Sequence, residues 1–104
     1  MLEKKYRLPS FCFKKIYQKG AIKKGKFVTL KFIRTYKSLP RFGIVVSIKT
    51  IKKATKRNLA RRRASEIIKS MLPKIKPGFD FVLILKKEVG FKEFEEDLKK
   101  LFYV

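Results

Sequence analysis

The sequence predicts a single α+β domain, an α/β two-layer sandwich in which amphipathic helices back one sheet. Three observations lead there. Apolar stretches of strand length recur at FVTLKFI (27–33), FGIVVSI (42–48) and FDFVLIL (79–85). Between the second and the third, the apolar period lengthens to that of a helix. The chain has 104 residues, 45% of them hydrophobic and ten of them Phe, enough for one packed core.

In chain order, a short helix follows Pro9, with Ser10 as its cap, Phe13, Ile16 and Tyr17 on one face and Gly20 as its stop. The strand at 27–33 puts Val28, Leu30 and Phe32 on one side and Phe27, Thr29, Lys31 and Ile33 on the other. The loop RTYKSLPR turns the chain into 42–48, which is apolar on both sides and so reads as a central strand. From about Lys52 to Leu72, Ala60, Ala64, Ile67, Ile68 and Met71 form one helical stripe. Pro73 and the Pro77-Gly78 pair end that helix, and 79–85 follows as a third strand. Gly90 then opens a last helix whose Phe91, Phe94, Leu98, Leu101 and Phe102 share a face. The order is helix, strands, helix, strand, helix.

Charge says most about function. The chain carries 29 Lys and Arg against 8 acids, a net charge of +21. Residues 1–78 hold all but five of the basic residues and two of the acids, Glu3 and Glu66, while 79–104 are close to neutral. The asymmetry points to a polyanion held by the first three quarters, with nucleic acid as the leading candidate. The single cysteine, Cys12, has no partner for an internal disulfide. No apolar run could span a bilayer or serve as a signal peptide, so a cytoplasmic protein is expected.

Self-contained catalysis is poorly supplied. Histidine, the most frequent general acid and base, is absent, and one cysteine without histidine excludes the common zinc sites. Glu88, Glu93, Glu95, Glu96 and Asp97 cluster in or beside the last helix among lysines, which reads as a solvated face. No glycine-rich phosphate loop occurs. Nothing here is expected to cut or transfer alone, and no metal ion is expected on the protein.

The stretch KKATKRNLARRRASEI (52–67) is different. Lys52, Lys53, Lys56, Arg57, Arg61, Arg62 and Arg63 share three to four helical turns with one acid, Glu66. Pairs such as Lys53/Arg57 and Arg57/Arg61 repel by roughly 0.2–0.5 kcal/mol each. Such a helix makes sense against a polyanion. Asn58, Arg62, Ser65 and Lys69 are expected opposite the apolar stripe, with Arg57 beside it. Asn58 is a mediocre helix former, but its amide suits a base edge, a 2′-hydroxyl or a metal-bound water. The plainer alternative is a solvated face with Arg62 and Glu66 paired at i,i+4.

RFGIVVSIK followed by KKATKRNLARRRASE resembles the bacterial ribonuclease P protein subunit. Arg57-Asn58, Arg61-Arg62 and Glu66 match that family's motif in register, and FKKIYQKG, FVTLKF and FDFVLIL extend the likeness over nearly the whole chain. Leu59 stands where the family usually has Arg, and Ser65 replaces the Arg before the Glu.

The resemblance implies a fold shared with a ribosomal-protein domain, with a left-handed crossover between its parallel strands. It further implies an endoribonuclease whose catalyst is the RNA subunit, using Mg²⁺ bound by that RNA. The protein then assists removal of the 5′ leader from precursor tRNA in a 1:1 protein–RNA holoenzyme, with no membrane partner. Arg57, Asn58, Arg61 and Arg62, with Lys53 and Lys49, are expected on the ribonuclease P RNA. A cleft between the first helix and the sheet, lined by Phe13, Tyr17, Leu30 and Arg57, is expected to hold the leader. Leu30 occupies a position where the family often has an aromatic. Phe13 could equally be a core residue. Two rivals stand beside this reading: a ribosomal or general RNA-binding protein with no role in cleavage, and a cationic membrane-surface protein, which would need the 60–71 stripe that the strands require as core.

Overall fold

Alternation of side chains along the strands divides the molecule into two apolar clusters, one on each face of a four-stranded sheet. The computed structural model describes residues 3–35, 38–75, 78–87 and 90–102. Tyr36, Lys37, Pro77 and Glu88, each part of an expectation above, lie outside the described residues. The helices are α1 (Phe13–Lys19), α2 (Ala54–Met71) and α3 (Phe91–Phe102). The strands are β1 (Ala21–Lys24), β2 (Val28–Arg34), β3 (Arg41–Val46) and β4 (Phe79–Leu85), in the order β1-β2-β4-β3. Neighbours pair antiparallel except β3 and β4, which run parallel and are joined through α2.

Two expectations about strands change. β4, not 42–48, is central, and β3 is an edge strand that ends at Val46. Its apolar character on both sides has a physical source. Arg7 bridges to Phe42, and the Leu8 N–H donates to the Phe42 carbonyl at 2.9 Å, so the N-terminal segment covers that edge. The short strand β1 is an addition: AIKK has four mostly exposed residues and no apolar alternation that would announce it.

On one face, Val28 and Leu30 of β2, Phe42 and Val46 of β3, and Phe81, Leu83 and Leu85 of β4 pack against α2 and α3. Ala64, Ile67, Ile68 and Met71 supply the α2 stripe, with Ala60 at its half-buried edge; Phe94, Leu98 and Leu101 supply that of α3. Phe42 stacks on Phe81 with centroids 5.4 Å apart, and Phe102 meets both rings edge-on. The other face carries Leu8, Ile16 and Val82, with Phe13, Ile33, Val45 and Ile84 around them, and α1 lies there.

The start and end of α1 are set differently. Ser10 begins a 3₁₀ turn that runs to Cys12, so Cys12 and not Ser10 holds the capping position, without a side-chain cap. Gly20 does terminate the helix, its N–H donating to the Ile16 carbonyl at 2.8 Å.

Candidate RNA interface

The β3–α2 connection fixes how the basic helix starts. Ser47 and Thr50 close a turn, their hydroxyls 3.0 Å apart, and Ile51 is buried beneath it. Lys53 stands at the capping position of α2 with no side-chain cap. Arg57 ties the connection down from inside the helix, through the loop's carbonyls and not through the N–H groups that a cap would satisfy. Its guanidinium donates to the Ile51 carbonyl at 3.0 Å and to the Lys52 carbonyl at 2.7 Å, holding the loop against the first turns.

Beyond Arg57 the helix offers an exposed basic face. Asn58 and Arg62 are exposed and Arg61 is half-buried. The Arg61 guanidinium donates to Asn58 Oδ1 at 3.1 Å, which holds the amide and the fork in one orientation. Lys49 and Lys53, on the connection before the helix, are exposed as well. Ser65 departs from its expected place. It is buried, at 5% exposure, and its hydroxyl donates to the Arg61 carbonyl at 2.9 Å.

On the opposite face, Phe13 and Tyr17 project from α1 but end differently. Phe13 is packed into the apolar cluster under α1, against Gly43 of β3; a Cβ at Gly43 would overlap the Phe13 ring. Tyr17 keeps 39% of its surface, with its ring 4.8 Å from the Lys31 ammonium. Partial burial raises the Tyr17 pKa above its ordinary value.

Leu30 is not in this cleft. It is 2% exposed and belongs to the core under α2 and α3. Val28 and Leu30 face that core, so Lys31, by the period of two, faces α1. Ile22 of β1 pairs with Lys31 and shares its face. Lys31 is therefore the strand residue that meets Tyr17, a position composition alone conceals. Arg57 too is tied to the loop before α2 and not to α1.

Two carboxylates are structural. Asp80 takes a two-pronged contact from Arg41, Nε at 2.9 Å and Nη2 at 2.6 Å, and the same Nη2 lies 3.8 Å from Cys12 Sγ. The hydrogen bond to Asp80 raises the Arg41 pKa further. Asp97, expected on a solvated face, is buried. Its oxygens accept the backbone N–H groups of Lys26, Phe27 and Val28 at 2.9–3.0 Å. Among the described residues, no group of three or more His, Cys, Asp or Glu could hold a metal ion, and no helix is long and apolar enough to cross a membrane.

A strongly basic helix on one side of a mixed sheet, with an aromatic and a lysine on the other, defines an RNA-binding protein of the α/β sandwich class. The chain belongs to the ribonuclease P protein family, whose profile, described as Ribonuclease P, matches residues 2–104. It is 35% identical over 94 residues to the ribonuclease P protein component of Carboxydothermus hydrogenoformans, covering 88% of this chain and 80% of that one. The component from Synechocystis sp. is 36% identical over 94 residues, covering 86% and 76%. The RNase P protein from Thermotoga maritima superposes with a TM-score of 0.85 at 30% identity, over 93% of this chain and 94% of that one. The fold and the family are those of a ribonuclease P subunit, a partner of the ribonuclease P RNA in tRNA processing.

Proposed function

We propose that the chain binds the ribonuclease P RNA through the exposed face of α2 and holds the 5′ leader of precursor tRNA against α1 and β2. Asn58, Arg61 and Arg62, with Lys49 and Lys53 beside them, contact the catalytic RNA; Arg57 shapes the loop that presents them. Tyr17 supplies a stacking surface and Lys31 a cation for the leader, while Phe13 supports α1 from below. The observation that carries this reading is the Asn58–Arg61 pair. It pre-orients an amide and a guanidinium on an exposed helix face, in the register of the family motif.

The cleavage chemistry is assigned to the RNA and its bound Mg²⁺. A hard cation needs several oxygen ligands, and the buried carboxylates here are engaged otherwise, Asp80 by Arg41 and Asp97 by three N–H groups. The protein's part is to bind and orient, as one copy per RNA, in the cytoplasm.

Reconstitution with a bacterial ribonuclease P RNA at low Mg²⁺ tests the reading. Added protein should raise the efficiency of precursor cleavage, and protein alone should leave precursor intact. Cleavage by RNA-free protein that survives nuclease treatment would overturn the division of labour.

A further inference from the structure

The basic helix has a second face, and Leu59, which stands where the family usually has Arg, lies on it. Lys56, Leu59, Ala60 and Arg63 follow the i, i+3, i+4, i+7 spacing and so share one side of α2. Asn58, Arg61 and Arg62 lie around the helix from them. Between this side and α3 opens a cleft of about 110 Å³. Ile51 and Phe94, each 4% exposed, form its floor and Ala60 its wall. Leu59, at 41% exposure, is its lip, an apolar residue within a run of arginines. Lys56 and Arg63 stand on its rim, about 10 Å apart along the helix at 1.5 Å per residue.

We propose that this cleft receives one unstacked base of the ribonuclease P RNA, with Lys56 and Arg63 beside the flanking phosphates. The proposal rests on the RNA-binding reading above and adds a site to it. Size and charge together select the occupant. An apolar cavity of roughly 150 Å³ takes a benzene ring, so this smaller, open cleft takes the edge of one planar ring, with the rest lying over Leu59. A partner helix would need a long groove for several anchors, and a rim of two cations favours a polyanion over an apolar protein segment. A base seated here would place its strand across the first turns of α2, within reach of both faces of the helix.

The test uses the full chain with methyl-labelled Leu59, Ala60 and Ile51. Two probes are compared at matched salt, a short oligoadenylate and an abasic oligomer of the same length. The oligoadenylate should shift these methyl resonances and the abasic oligomer should not. Ala60→Leu, which fills the cleft, should weaken binding to the ribonuclease P RNA about tenfold with an unchanged salt slope, because the cations that meet phosphates are all still present. Leu59→Ser, at an exposed position, should act in the same direction without endangering the fold. Equal shifts with both oligomers would overturn the proposal. So would an effect of Ala60→Leu on precursor binding alone, or shifts that grow with protein concentration in the absence of RNA, the mark of a second copy in the cleft. Replacement of Arg61 and Arg62 separates the two readings. If that change left RNA affinity intact, the RNA-binding reading itself would fall; if it weakened binding while the two oligomers behaved alike, only the cleft would fall.

Discussion

Arg41 and Asp80 face each other across the parallel β3–β4 pair, their two-pronged contact 85% or more withdrawn from solvent at both side chains. The geometry is the strong, forked kind, and it sits beside Cys12 at the foot of α1. Removing one partner from such a pair strands a buried charge. Asp80→Ala should cost about 3 kcal/mol in urea unfolding. The double change Arg41→Met with Asp80→Leu should recover most of it, since well-packed apolar replacements of buried pairs are often tolerated. Near-wild-type stability of Asp80→Ala would show that the pair is incidental.

Gly43 and Phe13 make a second coupled pair. Only a glycine admits the ring that α1 lays on β3. Gly43→Ala should destabilise by about 1–3 kcal/mol through overpacking. Combined with Phe13→Ala, which empties the space, the cost of the extra methyl should fall sharply. A double-mutant cycle reads this directly, and strictly additive losses would mean that the ring moves aside freely.

These pairs mark where the sequence stops being legible. The 79–85 strand, the α2 stripe and the α3 stripe could be read because each repeats one periodic choice over several residues. Asp80 sits inside the apolar run FDFVLIL, and nothing local says that Arg41, thirty-nine positions away, neutralises it. Asp97 looks like one more acid on a charged helix, yet it caps the backbone of the β1–β2 turn seventy positions earlier. Leu30 and Lys31 show the same limit in the site. Alternation assigns neighbours to opposite faces but not which face meets α1, and the family's aromatic pattern suggested the wrong one of the two. The centrality of 42–48 failed for a related reason, because an N-terminal segment can bury an edge as well as a strand can.

Tyr17 gives a pH prediction. Burial disfavours its phenolate, so the folded-state pKa lies above the ordinary 10.0. A raised pKa means that its favourable contribution is complete below the unfolded value and is lost as pH climbs through the folded one. Across roughly pH 6–9 the hydroxyl is neutral in both states and contributes no slope. Stability of the protein and of Tyr17→Phe should therefore vary in parallel over that range. The difference in ultraviolet phenolate absorbance between the two should show a midpoint above 10.0. A midpoint at or below that value would remove the burial argument.

The two proposed RNA surfaces lie on different layers, and substitution should separate them. Arg61 and Arg62 project from α2, whereas Tyr17 projects from α1 on the opposite face of the sheet. Replacing both arginines by Ala should weaken binding to the ribonuclease P RNA and flatten the dependence of log affinity on log salt. The flattening should be about 0.7–0.9 for each phosphate that the protein no longer neutralises. Tyr17→Ala should leave that affinity alone and weaken binding of leader-bearing precursor to the holoenzyme by about 1–3 kcal/mol, the worth of one stacked base. Mature tRNA, which has no leader, should be unaffected. Leu30→Ala is the control that the core position demands: it should cost about 2–5 kcal/mol of stability and, in protein kept folded, no leader affinity. Should Tyr17→Ala leave precursor and mature tRNA equally well bound in a folded protein, the leader would have to lie elsewhere. The assignment of the basic helix would stand, because its residues, its face of the sheet and its salt signature are all separate from those of Tyr17.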